Sequence, residues 1–113
     1  MRQFWNEAAE WSFKTFGSRE VRGPLGPARH LKKEVEEVLV ALQRCKDYPG
    51  EQDFTDDAAE ELVDCAFLVF DTARRLGVDY DEFLTIAFDK LAKNKRREWP
   101  PTSSEDPVEH KRF

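Results

Sequence analysis

The chain has 113 residues, 40% of them hydrophobic and 36% charged, and a formal net charge of −5. That size fits one small domain over residues 1–113, with a core too modest to enclose a deep polar site unless a partner subunit helps to cover it. The acidic balance excludes a general basic field for nucleic acid, and the longest apolar run, residues 65–70, is far too short to span a bilayer.

In chain order, residues 3–16 read as a first helix, with Phe4, Ala8 and Trp11 on one face and Trp5, Ala9 and Phe16 beside them. Gly17-Ser18 ends it. Two prolines and two glycines in Gly23-Pro24-Leu25-Gly26-Pro27 predict a loop over 19–27, with Pro27 able to sit in the first turn of the next helix. That second helix, 27–47, carries an apolar seam at Leu31, Val35, Val38, Leu39 and Leu42, and Tyr48-Pro49-Gly50 closes it. A third, 55–76, is capped by Thr55 and stopped by Gly77; its main seam is Leu62, Ala66, Val69 and Ala73. A fourth starts with a capping box, Asp79 and Glu82, and runs to about 98, with Phe83, Ile86 and Ala87 facing inward. Residues 98–113 are expected as an extended tail draped over a neighbour. No useful strand-like alternation is present, so the fold class is all-α, a four-helix bundle.

Cys45 and Cys65 both fall within helical patterns, which argues for reduced thiols in the cytoplasm and for Cys65 as a core filler. No signal peptide precedes the first amphipathic pattern.

Two acid pairs carry the chemistry. Glu34 and Glu37, then Glu61 and Asp64, each have the i, i+3 spacing that puts both carboxylates on one helix face. With Leu31 at zero and about 100° per residue, the seam of the second helix spans roughly 340° to 80°, with Glu34 near 300° and Glu37 near 240°. Glu36, Lys32 and Lys33 fall on the remaining, solvated arc. On the third helix Asp57, Glu61, Asp64 and Asp71 form a narrow acidic stripe in a segment that is apolar nearly all round. An ordinary solvated face would also give one such stripe. A second pair on the preceding antiparallel helix favours a site, and four converging carboxylates need a hard divalent cation. All-oxygen donors point to Mg²⁺ or Mn²⁺. His30 and His110 lie outside both motifs, and His30 reads as a polar residue at a helix start. Lys90, Asn94 and Arg97 continue the inward face of the fourth helix; they can reach toward bound anion, although Lys and Arg also favour a helix C-terminus on dipole grounds alone. From the residues alone a metal-dependent enzyme on a phosphate compound is favoured over a non-catalytic helical interaction module or a metal-binding bundle.

Glu34-x-x-Glu37, 23 residues, Glu61-x-x-Asp64, then Lys90-x-x-x-Asn94 resembles the MazG-like all-α nucleoside triphosphate pyrophosphohydrolases. Phe13-Lys14-Thr15-Phe16-Gly17, Gly23-Pro24-Leu25-Gly26-Pro27, His30-Leu31-x-x-Glu34, the run from Lys90 to Pro100, and Pro107-Val108-Glu109-His110 are similar to the dATP/dGTP diphosphohydrolase (MazZ-like) branch of bacteriophages. The resemblance implies cleavage of a nucleotide, a purine dNTP such as dGTP, to the monophosphate and pyrophosphate, associated in some phages with 2-aminoadenine DNA. It implies two or three Mg²⁺ or Mn²⁺ per site on Glu34, Glu37, Glu61 and Asp64. Lys90 and Asn94 would hold the triphosphate, with Arg97 beside them, Lys90 would offset charge on the leaving pyrophosphate, and Glu34 or Glu37 would accept a proton. Family members form dimers or tetramers, so the bundle would be completed by oligomerisation as a homodimer or homotetramer. Trp5, Trp11 and Phe16 offer stacking surfaces for the base, with Trp11 assigned to substrate binding, although core packing is the commoner role of each aromatic.

Overall fold

Four helices carry most of the chain in a computed structural model, which describes residues 1–102 and 104–110. They are α1 (Arg2–Phe16), α2 (Leu25–Asp47), α3 (Gln52–Leu76) and α4 (Tyr80–Arg96). The described residues contain no strand, and the fold class is all-α as expected.

Two helix starts differ from the sequence reading. Pro24 already has helical angles (φ −74°, ψ −19°), and the Ala28 N–H bonds back to its carbonyl at 3.2 Å. Helix α2 therefore opens at Leu25, and Gly26 and Pro27 sit in its first turn, where a missing N–H costs nothing. Helix α3 opens at Gln52, because the Phe54 and Thr55 N–H groups both donate to the Glu51 carbonyl at 3.2 and 3.3 Å. Thr55 is thus inside the helix and does not cap it. The other end follows the prediction: Gly77 adopts φ +102°, a left-handed conformation that favours glycine, and the Val78 N–H closes on the Ala73 carbonyl at 3.0 Å.

Residues Met1–Tyr80 form one compact unit. Within it α2 and α3 are joined by a short turn, with Tyr48 against Phe54 (centroids 5.6 Å apart), and run in opposite directions as an αα-hairpin. Helix α1 lies on α3 through an aromatic cluster: Phe4 meets Phe67 edge-on at 5.5 Å and Trp5 meets Phe70 at 5.1 Å. Trp5 is buried, with the Arg74 guanidinium 5.0 Å over its ring.

The expected apolar seams are displaced around their helices. On α2 the covered residues are Pro27, Leu31, Glu34, Val38, Ala41 and Cys45, whereas Val35, Leu39 and Leu42 are exposed, Leu39 at 62%. The covered arc lies roughly 60° from the centre of the apolar residues. On α3, Leu62 and Val69 are exposed while Ala66 and Ala73 are covered as expected, and a further covered line runs through Phe54, Ala58, Glu61, Cys65 and Leu68. On α1 the buried line is Trp5, Ala8 and Ser12. The covered lines mix small or polar residues such as Ala8, Ser12, Ala41 and Ala58 with larger ones such as Trp5, Val38 and Leu68, and bulky apolar side chains such as Leu39 and Leu62 lie on the outside of the single chain.

A second unit begins at Asp81. None of the α4 residues is buried, and of the face expected to point inward Phe83, Asn94 and Arg97 are half-buried while Ile86, Ala87 and Lys90 are exposed. Within this unit the Trp99 indole N–H donates to the Asn94 carbonyl at 2.9 Å, Arg97 donates to Asn94 Oδ1 at 3.3 Å, and Trp99 meets His110 at 5.7 Å. Among the described residues no helix or strand follows Arg96; residues 103 and 111–113 of the expected tail lie outside the described residues.

Candidate metal centre and adjoining pocket

The opposed directions of α2 and α3 bring Glu34 together with Glu61 and Asp64. One carboxylate oxygen of each lies within 4.8 Å of the other two. Glu34 and Glu61 are half-buried, and each has an Oε2 atom that is fully covered and has no hydrogen-bond partner. An orphaned buried carboxylate oxygen is costly, and two of them beside a third carboxylate fit a hard divalent cation that takes oxygen ligands. Asp64 is exposed, so the cluster opens on one side and is less enclosed than the sequence reading expected. Glu37 falls outside this trio but neighbours Glu61.

Burial is the largest cause that pushes the Glu61 carboxyl above its ordinary 4.5; the charges of Glu37 and Glu34, a hydrogen bond with Glu37 and the charge of Asp64 add to it. The Cys65 thiol is pushed up by burial and then by Glu34, Asp64 and Glu61, so it sits at the flank of the acid cluster and is more than a core filler. A testable consequence follows for the protein in chelator. Between the ordinary and the raised Glu61 pKa the folded state binds more protons than the unfolded one, so its stabilising contribution is complete below about 4.5 and lost as pH rises through the raised value. The melting temperature of Glu61→Gln should fall less steeply over that window than that of wild type; parallel curves would refute the assignment.

Beside the acids lies a cavity of about 260 Å³, whose walls come from all three helices of this unit. Trp11, Ser12 and Phe16 belong to α1, His30 and Glu34 to α2, and Asp64, Phe67, Leu68 and Asp71 to α3. Trp11 stands edge-on to both Phe16 and Phe67, at 5.5 Å in each case. Trp11 and Phe16 are therefore available to a ligand, while Trp5, packed in the core, is not. The sequence reading placed His30 merely at a helix start. Its Nε2 in fact lies 3.1 Å from Glu34 Oε1, on the wall of this cavity. The i, i+4 spacing of His30 and Glu34 was the available signal.

Asp71 departs most from expectation. It is a buried ion-pair member and not part of a solvated or metal-binding stripe. Ser12 Oγ donates to its Oδ1 at 2.8 Å, and Arg75 Nε lies 3.1 Å from both of its oxygens. Arg75 also donates to the carbonyls of Ser18 (3.3 Å) and Arg22 (2.8 Å), tying the α1–α2 loop to α3. Ser12, only 1% exposed, could not be found by apolar periodicity because its reason for burial is this partner.

A second, more open cavity of about 670 Å³ is lined by Glu37 and Glu61 together with Asp57, and includes two cations of α2, Lys33 and Arg44. Lys90, Asn94 and Arg97 belong to the second unit and are described there.

Residues 4–112 match the family described as dATP/dGTP pyrophosphohydrolase. The chain belongs to this family. A similar protein is the Eaa protein of Salmonella phage P22, 40% identical over 105 residues, an alignment that covers 92% of this chain and 27% of that protein. The chain thus spans about a quarter of that relative's length. No solved structure matches the chain. As a member of the dATP/dGTP pyrophosphohydrolase family, it carries its acid cluster and aromatic cavity well inside the matched residues. No helix among the described residues is long and apolar enough to cross a membrane.

Proposed function

We propose that this chain is a divalent-metal-dependent diphosphohydrolase that cleaves a purine deoxynucleoside triphosphate, dGTP or dATP, to the monophosphate and pyrophosphate. The observation that carries the reading is the convergence of Glu34, Glu61 and Asp64, with buried unpaired oxygens, at the edge of an aromatic cavity. The family match supports the substrate class. The likeness to a phage protein supports a place in phage nucleotide metabolism; the MazZ-like branch and synthesis of 2-aminoadenine DNA are the finer part of the proposal and rest on the sequence motifs alone.

Glu34, Glu61 and Asp64, with Glu37 beside them, would hold Mg²⁺ or Mn²⁺, two or three ions per site. When bound, such an ion supplies Lewis-acid polarisation of phosphate oxygens and lowers the pKa of water. The remaining work falls to the chain. Trp11 and Phe16 hold the base and exclude water from one side of it. His30 holds one oxygen of Glu34 and so sets the orientation of its carboxylate. Glu37, beside Glu61 and lining the open cavity, would accept a proton from the attacking water. Lys90, Asn94 and Arg97 bind the triphosphate, Lys90 offsetting negative charge on departing pyrophosphate.

The exposed apolar residues of α2 and α3, including Val35, Leu39 and Leu42 on one helix and Leu62 and Val63 on the other, support assembly with further copies of the chain, as a homodimer or homotetramer. The function is tested by incubating the protein with each of the eight common NTPs and dNTPs plus Mn²⁺ and separating the products. Monophosphate and pyrophosphate from dGTP or dATP are expected. Release of single orthophosphates, or no turnover together with no stabilisation by Mn²⁺ and nucleotide, would overturn the reading in favour of a non-catalytic helical module.

A further inference from the structure

We infer that the open cavity beside the acid cluster receives the leaving pyrophosphate as its metal complex, and that Lys33 and Arg44 are the residues that hold it. The inference rests on the proposed nucleotide site and deepens it. The two cavities follow one another along the α2–α3 hairpin. On α2 the lining passes from His30 and Glu34 in the aromatic cavity to Glu37, Ala41 and Arg44 in the open one. On α3, running the other way, it passes from Asp71, Leu68 and Asp64 to Glu61 and Asp57. Steps of three and four residues keep each series on a single helix face. Glu34, Glu61 and Asp64, whose oxygens converge within 4.8 Å, stand where one cavity gives way to the next. A nucleotide with its base at Trp11 and Phe16 and its α-phosphate at this trio therefore directs its β- and γ-phosphates into the open cavity.

That cavity offers what the fragment needs. Its volume of about 670 Å³ has room for two phosphate groups and a hydrated cation. Lys33 and Arg44 mark the two ends of its α2 wall, three helical turns or about 16 Å apart on nearly one line. A helical side chain leans toward the N-terminus, so Arg44 covers the turn before it and heads back toward Glu37 and the trio. Both cations are exposed, and among the described residues neither forms an ion pair with the acids around it, although Glu36 and Glu37 follow Lys33 at helical spacing. The helix dipole accounts for a cation at Arg44, in the last turn of α2, but not for Lys33, which lies outside both end turns. Glu36, Glu37, Asp57, Glu60 and Glu61 leave the wall net negative. They repel a bare polyphosphate and attract the cation of a metal complex, which leaves Lys33 and Arg44 to the phosphate oxygens.

The test is calorimetric binding of inorganic pyrophosphate in excess Mg²⁺ and in chelator, with dGMP titrated in parallel and melting temperatures recorded. Wild type should bind pyrophosphate with Mg²⁺ and not in chelator. Lys33→Gln and Arg44→Gln should each weaken that binding about tenfold, the lower end for a hydrogen bond between charged groups, and leave dGMP affinity unchanged. Lys32→Gln removes the same charge from the same helix outside the cavity and should change neither ligand. Glutamine suits an exposed helical position, so all three variants should melt with wild type. No binding of pyrophosphate to wild type, equal binding in chelator, unchanged affinity in both cavity variants, or an equal loss in Lys32→Gln overturns the inference. Triphosphate hydrolysis with unaltered pyrophosphate affinity in the variants sinks the role of the two cations alone. Pyrophosphate binding that depends on both of them, with no triphosphate hydrolysed, sinks only the hydrolase reading.

Discussion

Glu61→Gln and Asp64→Asn should each lower pyrophosphate release by more than about 100-fold, the upper end of what losing even an outer partner of a metal ligand costs. The variants should not lose stability in chelator. Glu61 sits on the inner line of α3 with an unpaired buried oxygen and three acidic neighbours, so removing its charge relieves repulsion in the protein without metal. Loss of turnover with unchanged or raised melting temperature separates a ligand from a residue that merely holds the fold. Stabilisation of wild type by Mn²⁺ should vanish in both variants, since binding stabilises only a state that binds. Turnover retained in both would remove the acid cluster from the chemistry.

Arg75→Met should destabilise the protein by about 3–5 kcal/mol, the cost of breaking a buried ion pair from one side. Its side chain is fully covered and bonds to Asp71, to Ser12 Oγ, and to the carbonyls of Ser18 and Arg22. The substitution strands the Asp71 charge and releases the α1–α2 loop together. Lysine should not rescue it, because one ammonium cannot reach the partners that a planar fork serves at once. Urea unfolding of Arg75→Met and of Asp71→Leu/Arg75→Met gives the comparison: the double variant should regain the share owed to the stranded carboxylate. A loss under about 1 kcal/mol in the single variant would mean that the network is decorative.

Helix number and the two clearest stops were legible from glycine, proline and periodicity; Gly17 and Gly77 end α1 and α3 where expected. Part of the acid set was legible too: i, i+3 spacing on successive helices brings Glu34 to Glu61 and Asp64 across the hairpin, whereas Glu37 does not join them. What the sequence concealed was which side of each helix faces its neighbour. Apolar periodicity put Leu39 and Leu62 in the seam, but both are exposed, while Ala41, Ala58 and Glu61 lie inside. Hydrophobic patterning cannot tell a face covered within one chain from a face left for another molecule. Asp71 and Ser12 escaped for a different reason: a buried polar pair is recognisable only when its distant partner is known, and Arg75 is 63 positions from Ser12. The inward face expected for α4 was overestimated: helical spacing marks a face without saying that anything buries it, and none of its residues is buried.

Helix α3 has no glycine or proline from Gln52 to Leu76. Asp64 and Asp71 are therefore mounted on one stiff rod with no joint between them. An exchange of side chain at Phe67, Leu68 or Asp71 would reshape the cavity wall without shifting Glu61 and Asp64, because the rod between them stays straight.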